Sequence, residues 1–418
     1  MKIASLGAAQ FDSPLKRFVD ESHRVPCQIL SNGTAAAEQK SFELAGPRPK
    51  LFFDPRQTRA GIVTCGGLGP GLNNVIRSLF LELYHEYGVK DVLGFRDGYQ
   101  GLDPSRAAEP LPLTCEFVED IHREGGTVLG TSRGPVDPAI AIDNLIARHI
   151  HLLFTIGGDG TQRGAAALLV EARRRQYPLA VVGVPKTIDN DVPFVARSFG
   201  YSTAVAEASE VLQRAHTECH SLRNGISLVK LMGRDAGFIA VGATIASQEA
   251  NFTLIPEVPF RLEGEGGFLI ALKKRLLRRG HALIVVAEGA GQDLLGTGHE
   301  RDASGNVKLK DIGAFLRQQI EACFKREQVP FTLRYFDPSY LIRSVPANAE
   351  DAILCDLFAR HAAHAALAGK TGLVIGLLHD QFIHVPIEVL TAHRKRLSPD
   401  DSAWHAVLAA TGQPATLA

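Results

Sequence analysis

The sequence predicts an α/β fold built on doubly wound, mostly parallel sheets. Three observations carry this. From Ala60 onward, short apolar and β-branched runs alternate with longer amphipathic stretches, the pattern of repeated strand–helix–strand units. Several runs, such as "LAVVGV", are apolar at every position, as strands covered by helices on both faces must be. Glycine-rich or charged turns then follow the strands directly, where open parallel sheets bind their ligands. A chain of 418 residues suits two domains or one large α/β body.

Residues 1 to 58 are weakly patterned, and "AGPRPKLFFDPRQTR" reads as a loop or wrapping arm. The strands expected after it are "AGIVTC", "HLLFTI", "LAVVGV", "ISLVKL", "HALIVVA" and "TGLVIGLL". The helices expected are 70–86, 138–149, 163–175, 202–219, 235–247, 263–279, 311–327 and 348–368. The tail after Leu397 is rich in Ala and Thr and is expected to be loosely held.

Lys plus Arg and Asp plus Glu number 45 each, so bulk charge gives no support for nucleic acid or an anionic membrane as partner. No apolar run approaches the ~20 residues that span a bilayer. The six cysteines are scattered, with no C-x-x-C pair, which fits free thiols in a reducing cytoplasm.

The strand-end turns hold the chemistry. In "GIVTCGGLGPGLNNVIR", Gly66, Gly67, Gly69 and Gly71 leave amides open near a helix start, suited to phosphate. The spacing is neither the dinucleotide nor the P-loop pattern. In "LLFTIGGDGTQRGA", Gly157, Gly158 and Gly160 frame Asp159, a carboxylate able to hold Mg²⁺ beside substrate phosphates. "VPKTIDNDV" places Lys186, Thr187, Asp189 and Asp191 at the next strand end. Charge so close to a buried strand must lie at an open edge with partners. Asp189 is the candidate proton acceptor for an attacking hydroxyl, Asp191 its orienting group, Lys186 a neutraliser of phosphate charge and Thr187 a sugar-phosphate ligand. "LVKLMGRDAGFIA" presents Arg234 at a turn, a partner for phosphate oxygen. Glu288 in "VVAEGAGQ" can accept from sugar hydroxyls, and Arg334, Tyr340 and Arg343 in "RYFDPSYLIRS" suit a sugar phosphate. Arg133 stands beside glycine in "LGTSRGPVDP". "KKRLLRR", residues 273–279, reads as a solvated helix face, with an anionic effector site as the minority alternative. His216 and His220 are spaced as helix metal ligands but read as ordinary helix residues without a third ligand.

The ordered set "GGLGPG", "GGDGT", "PKTIDND", "KLMGR" and "AEGAGQ" resembles the 6-phosphofructokinase family across residues 45 to 395. "AGPRPKLFFDP" looks like its plant and trypanosomatid ATP-dependent branch. The resemblance implies transfer of the γ-phosphoryl of ATP to the 1-hydroxyl of fructose 6-phosphate, with Mg²⁺, by a cytoplasmic enzyme that forms a homotetramer or homodimer. It implies two Rossmann-like domains with the active site in the cleft between them. A donor domain would comprise 59–200 and 342–395, and a sugar-phosphate domain 201–341 and 396–418, after an N-terminal extension of 1–58. Asp189, Arg234 and Thr187 would be catalytic, and Asp159 the metal residue. Gly67, Arg133, Gly158, Asp159, Gly160, Thr161 and Lys186 would hold ATP. Thr187, Asp189, Met232, Gly233, Arg234, Glu288, Arg334, Tyr340 and Arg343 would hold the sugar phosphate.

Some positions depart from the short bacterial enzymes. Gly225 stands where those place an arginine donated by a neighbouring subunit, with Arg223 or Lys230 as candidate substitutes, and Tyr340 replaces a histidine. Of their effector-site arginines Arg77 aligns, while Leu81 and Thr217 replace two others, so a response to ADP or phosphoenolpyruvate through that site is not expected. The rival donor is pyrophosphate. Lys186 matches the pyrophosphate-dependent members and Gly160 does not, and room for the α-phosphate at Gly160 favours ATP. A non-catalytic regulatory subunit is the third reading, opposed by the presence of Asp159, Asp189 and Arg234.

Overall fold

The computed structural model describes residues 1–29, 40–296, 300 and 307–417. The chain divides into two compact units. The first comprises Met1–Thr187, Val192–Gly200 and Ser344–Arg394; the second comprises Ile188–Asp191, Tyr201–Arg343 and Lys395–Ala418.

The first unit is built on a nine-stranded sheet. At its centre the strands Leu373–Leu378, Ala180–Pro185, Leu152–Gly157, Arg59–Thr64 and Asp91–Phe95 run parallel in that spatial order. Leu152–Gly157 and Ala180–Pro185 are buried at every position, which is why both read as unbroken apolar runs. In register, Pro185 pairs with Gly157 and Thr64 with Ile156, so three strands end at one level and their turns share one sheet edge.

Residues 1–58, expected as an extension, lie within the first unit, with 30–39 outside the described residues. Arg24–Pro26 and Ser41–Leu44 add antiparallel strands beyond Gln381–Pro386. Glu43, only 5 % exposed, anchors this addition against Arg48 at 3.0 Å, His384 at 3.1 Å and Lys370 at 3.2 Å. Burial alone would raise the Glu43 pKa, but these partners hold it well below the usual carboxylate range. A buried carboxylate left without such partners would be strongly destabilising.

The second unit carries a four-stranded parallel sheet in the order Phe252–Leu254, His281–Ala287, Gly225–Leu231 and Thr332–Phe336. Its side chains alternate between two apolar layers. Val229, Leu231, Leu283 and Val285 pack with Leu212, Ile239 and Trp404 from the helices Tyr201–His220, Phe238–Ser247 and Ser402–Thr411. Ile226, Leu228, Ile284 and Val286 pack with Leu272 and Leu316 from Phe268–Arg279 and Ile312–Arg326.

All six expected strands and eight expected helices are present, most with shifted ends. The helix expected from 163 begins at Asp159, so the glycine-rich motif forms its first turn rather than a loop before it. The tail is not loose: the helix Ser402–Thr411 buries Trp404 and Val407, and the Gln413 side chain accepts from the Thr253 amide at 2.7 Å. The strands Asp91–Phe95, Thr332–Phe336 and Gln381–Pro386 are not among those the sequence predicts, because each is only partly apolar.

Candidate active site

In the first unit, three of the strand-end turns assemble around Lys186. Its ammonium donates to the Gly67 carbonyl, and its amide donates to the Gly157 carbonyl at 3.1 Å. Although only 5 % exposed, Lys186 reaches the Gly66–Gly67 turn, where a Cβ added at Gly66 would lie 3.5 Å from its Nζ. The Gly66 amide donates to the Ser132 carbonyl and Thr131 Oγ1 donates to the Gly66 carbonyl, so Arg133 follows directly from a contact with this turn and is exposed. Gly158 and Gly160 flank Asp159 at the start of the helix Asp159–Arg174, where the first-turn amides and the helix dipole favour an anion. A Cβ at Gly160 would meet nothing within 4 Å. Thr161, by contrast, is buried and packs its hydroxyl against Gly157.

Among the described residues no group of three or more His, Cys, Asp or Glu is arranged to hold a metal ion. A single carboxylate at Asp159 fits Mg²⁺ nonetheless, because that ion is commonly held by one or two carboxylates plus substrate phosphates.

In the second unit the ionisable side chains cluster at the strand ends. Asp189 is pushed up to about 8: burial is the largest cause, Asp191 and Glu288 add to it, and Arg343 and Arg234 oppose it. Glu288, the residue after strand His281–Ala287, is raised by burial against the pull of Arg234, Lys230 and Arg343. Arg234 also donates to the Val307 carbonyl at 2.6 Å. It is aimed by Gly233, whose φ of +132° and whose closeness to the Ala236 carbonyl, 2.7 Å from an added Cβ, exclude any side chain. Arg343 lies 4.9 Å from the centre of the Tyr340 ring, and Tyr340 is 69 % exposed. Met232 is half-buried against the apolar layer beneath.

Residues 59–366 match the family described as phosphofructokinase. The chain is 43% identical over 434 residues to an ATP-dependent 6-phosphofructokinase of Borreliella burgdorferi, covering 100% of this chain and 97% of that one. It is 47% identical over 379 residues to ATP-dependent 6-phosphofructokinase 7 of Arabidopsis thaliana, covering 90% of this chain and 78% of that one. The chain belongs to the phosphofructokinase family. Its fold agrees: a crystal structure of a pyrophosphate-dependent phosphofructokinase from Marinobacter aquaeolei superposes with a TM-score of 0.70 at 21% identity, covering 84% of this chain and 91% of that one.

Against that membership, several placements are informative. Arg334 sits within strand Thr332–Phe336 and directs its Nε to Glu218 at 3.2 Å. Thr187 ends a segment of the first unit, its carbonyl accepting from Ser198 Oγ at 2.6 Å. Gly225 has no room for a side chain, since a Cβ would lie 2.1 Å from the Cys219 carbonyl oxygen. Lys230, a candidate substitute for the missing arginine, is held by Asp337 at 2.8 Å and Asp311 at 3.3 Å.

Sequence reasoning missed three groups. Arg394 lies with its Nε 3.5 Å from Asp159 Oδ2 in the first unit. In the second, Lys395 donates its amide to the Asp191 carbonyl at 2.9 Å, and burial pulls its ammonium down to about 8 against the attraction of Asp191. Asp337 holds Lys230 from the position just after strand Thr332–Phe336. The Asp–Pro after an aromatic run was a usable signal for Asp337; nothing in "HRKRL" marks Arg394 or Lys395.

Proposed function

We propose that this chain transfers the γ-phosphoryl group of ATP to the 1-hydroxyl of fructose 6-phosphate, giving fructose 1,6-bisphosphate and ADP. The observation that carries this reading is the buried Asp189 beside Asp191, Glu288, Arg234 and Arg343, with its basicity raised into the range a general base needs near neutral pH. Asp189 takes the proton of the attacking hydroxyl as the new O–P bond forms and the β–γ bridge breaks. Arg234 and Arg343 pair with the sugar phosphate, and Glu288 accepts from its hydroxyls. Lys186 and the amides about Gly67 and Gly158 hold the donor phosphates, with Arg133 and Thr161 supporting that loop. Asp159 would hold Mg²⁺, which would supply charge neutralisation on those phosphates. The open space at Gly160 supports a nucleotide donor, since a side chain there would meet the α-phosphate.

We also infer a homotetramer or homodimer. Ile353 and Leu357, one turn apart on helix Ala349–Leu367, are 64 % and 37 % exposed, which supports a covered face. A cytoplasmic setting fits six free cysteines, and no helix of the described residues is long and apolar enough to cross a membrane. The deciding experiment offers purified protein fructose 6-phosphate and Mg²⁺ with ATP or pyrophosphate in separate reactions. Product with ATP alone supports the proposal; product with pyrophosphate alone replaces the donor; product with neither favours a regulatory subunit.

A further inference from the structure

Within the second unit, the segment Ile188–Asp191 is held by a stretch of chain that begins at Lys395. The Lys395 amide donates to the Asp191 carbonyl at 2.9 Å. Two residues on, the Leu397 amide donates to Glu257 Oε1 at 3.0 Å. The same carboxylate accepts from the Gly237 amide, just before helix Phe238–Ser247. Leu397 itself is buried in the apolar layer beneath. These bonds fasten the stretch through its backbone and one leucine, and none of them requires a lysine at 395.

The Lys395 side chain has a different setting. Its ammonium lies 5.0 Å from the centre of the Phe238 ring. The residue is half-buried, whereas the next one, Arg396, is exposed. Burial pulls the Lys395 pKa down to about 8, and Asp191 pulls it up. A cation that only kept this stretch soluble would stay in water, as Arg396 does, because taking an ammonium out of water is costly without a counter-charge. The Phe238 ring face offers a weak one. The Asp191 carboxylate offers a full one.

Asp191 is also the foremost of the neighbouring charges that oppose ionisation of Asp189; Glu288 adds to it, and Arg343 and Arg234 counter it. Glu288 is faced in turn by Arg234, Lys230, Arg343 and Asp337. We propose that Lys395 is a positioning residue for phosphoryl transfer, its ammonium offsetting the Asp191 carboxylate so that Asp189 ionises more readily, a role that rests on Asp189 acting as the general base. Without the ammonium, the two carboxylates oppose each other in full, and Asp189 keeps its proton to higher pH.

The test is the pH profile of kcat/KM for fructose 6-phosphate in the full chain and in Lys395→Met, Lys395→Arg, Asp191→Asn and Lys395→Met/Asp191→Asn. Methionine keeps an apolar stem against Phe238 and leaves the backbone bonds in place, so the fold should hold. Lys395→Met should move the acidic limb up by about 0.5 in pH, below the ~1–3 expected of a charge in direct contact. Lys395→Arg keeps its charge at every pH and should leave the limb at or below its wild-type position. In the Asp191→Asn background, Lys395→Met should move nothing further. A limb unmoved in Lys395→Met, or moved equally with and without Asp191, overturns the proposal, since a purely structural lysine would change kcat or melting temperature and not the limb.

A readout without turnover keeps this separate from the reaction itself. The infrared band of the protonated carboxyl that is lost in Asp189→Asn can be titrated in each variant, and its midpoint should rise in Lys395→Met by the same amount. A midpoint that stays in place overturns the role of Lys395 whatever the activity. A midpoint that rises while the limb of kcat/KM does not would remove Asp189 from the base role and leave its link to Lys395 standing.

Discussion

The glycine turns of the first unit and the carboxylate cluster of the second handle charge in opposite ways. About Gly67, Gly158 and Gly160 the proposed recognition groups are backbone amides, with one lysine and one aspartate. About Asp189 they are side chains: three carboxylates against Arg234 and Arg343, with Lys395 beside Asp191. Fixed amide dipoles bind phosphate without needing a proton inventory, and they leave space. Proton transfer needs a group whose pKa has been moved, and burial beside like charge moves it. The two regions therefore predict different consequences when a single residue changes.

The largest effect is expected in the cluster. Asp189→Asn keeps shape and hydrogen bonding but removes the base, so kcat should fall by about 10²–10⁴-fold with little change in KM for fructose 6-phosphate. Steady-state kinetics at saturating donor measures this, and a near-normal kcat would remove Asp189 from the role.

Next is Gly160→Asp, which tests the turns. The added side chain meets open space, and an acidic residue suits a helix first turn, so the fold should hold. Like charge set against a phosphate costs several kcal/mol, so kcat/KM for ATP should drop roughly 100-fold, and any pyrophosphate reaction far less. Equal loss with both donors would show that Gly160 does not face the nucleotide.

The pH dependence separates the regions further. Because the Asp189 pKa is raised on folding from 3.8 to about 8, the unfolded chain releases that proton first as pH rises. The wild type should lose stability relative to Asp189→Asn between those values and no further above them. Melting temperatures at pH 5 and pH 8 should therefore show a wider gap at pH 8. Asp191→Asn removes a neighbouring negative charge and should move the acidic limb of kcat/KM to lower pH.

The smallest effect is expected at Arg394. Its 3.5 Å contact with Asp159 is partly exposed, and such pairs contribute about 0.2–1 kcal/mol. Arg394→Gln should raise KM for the Mg²⁺-bound donor by only about two- to fivefold on that scale. A larger rise would mean that Arg394 touches the donor itself.

Much of the candidate site was legible because its residues follow strands immediately. A strand of apolar residues announces its own end, and the next three or four residues must then lie at the sheet edge. Gly67, Asp159, Lys186, Arg234 and Glu288 were all found in this way. Arg394 and Lys395 were not, since they follow no strand and meet Asp159 and Asp191 across more than 200 positions of chain. The third histidine that the pair His216 and His220 lacked in the sequence is His281, whose ring lies 5.2 and 4.8 Å from theirs. The three rings pack as neighbours, and no metal-holding group is formed among the described residues.

By itself the sequence determined the strongly apolar strands, the helices and the turns after those strands, because strand and helix periodicity and glycine placement act over a few residues. The tertiary structure alone decided the rest. The basicity of Asp189 depends on which charges share its buried surroundings, and those come from separate strand ends. The order of the tail depends on an apolar layer that receives Trp404. The attachment of residues 41–44 depends on His384 and Lys370 meeting Glu43, far along the chain. Burial and Coulomb forces act through space, and no local pattern records them.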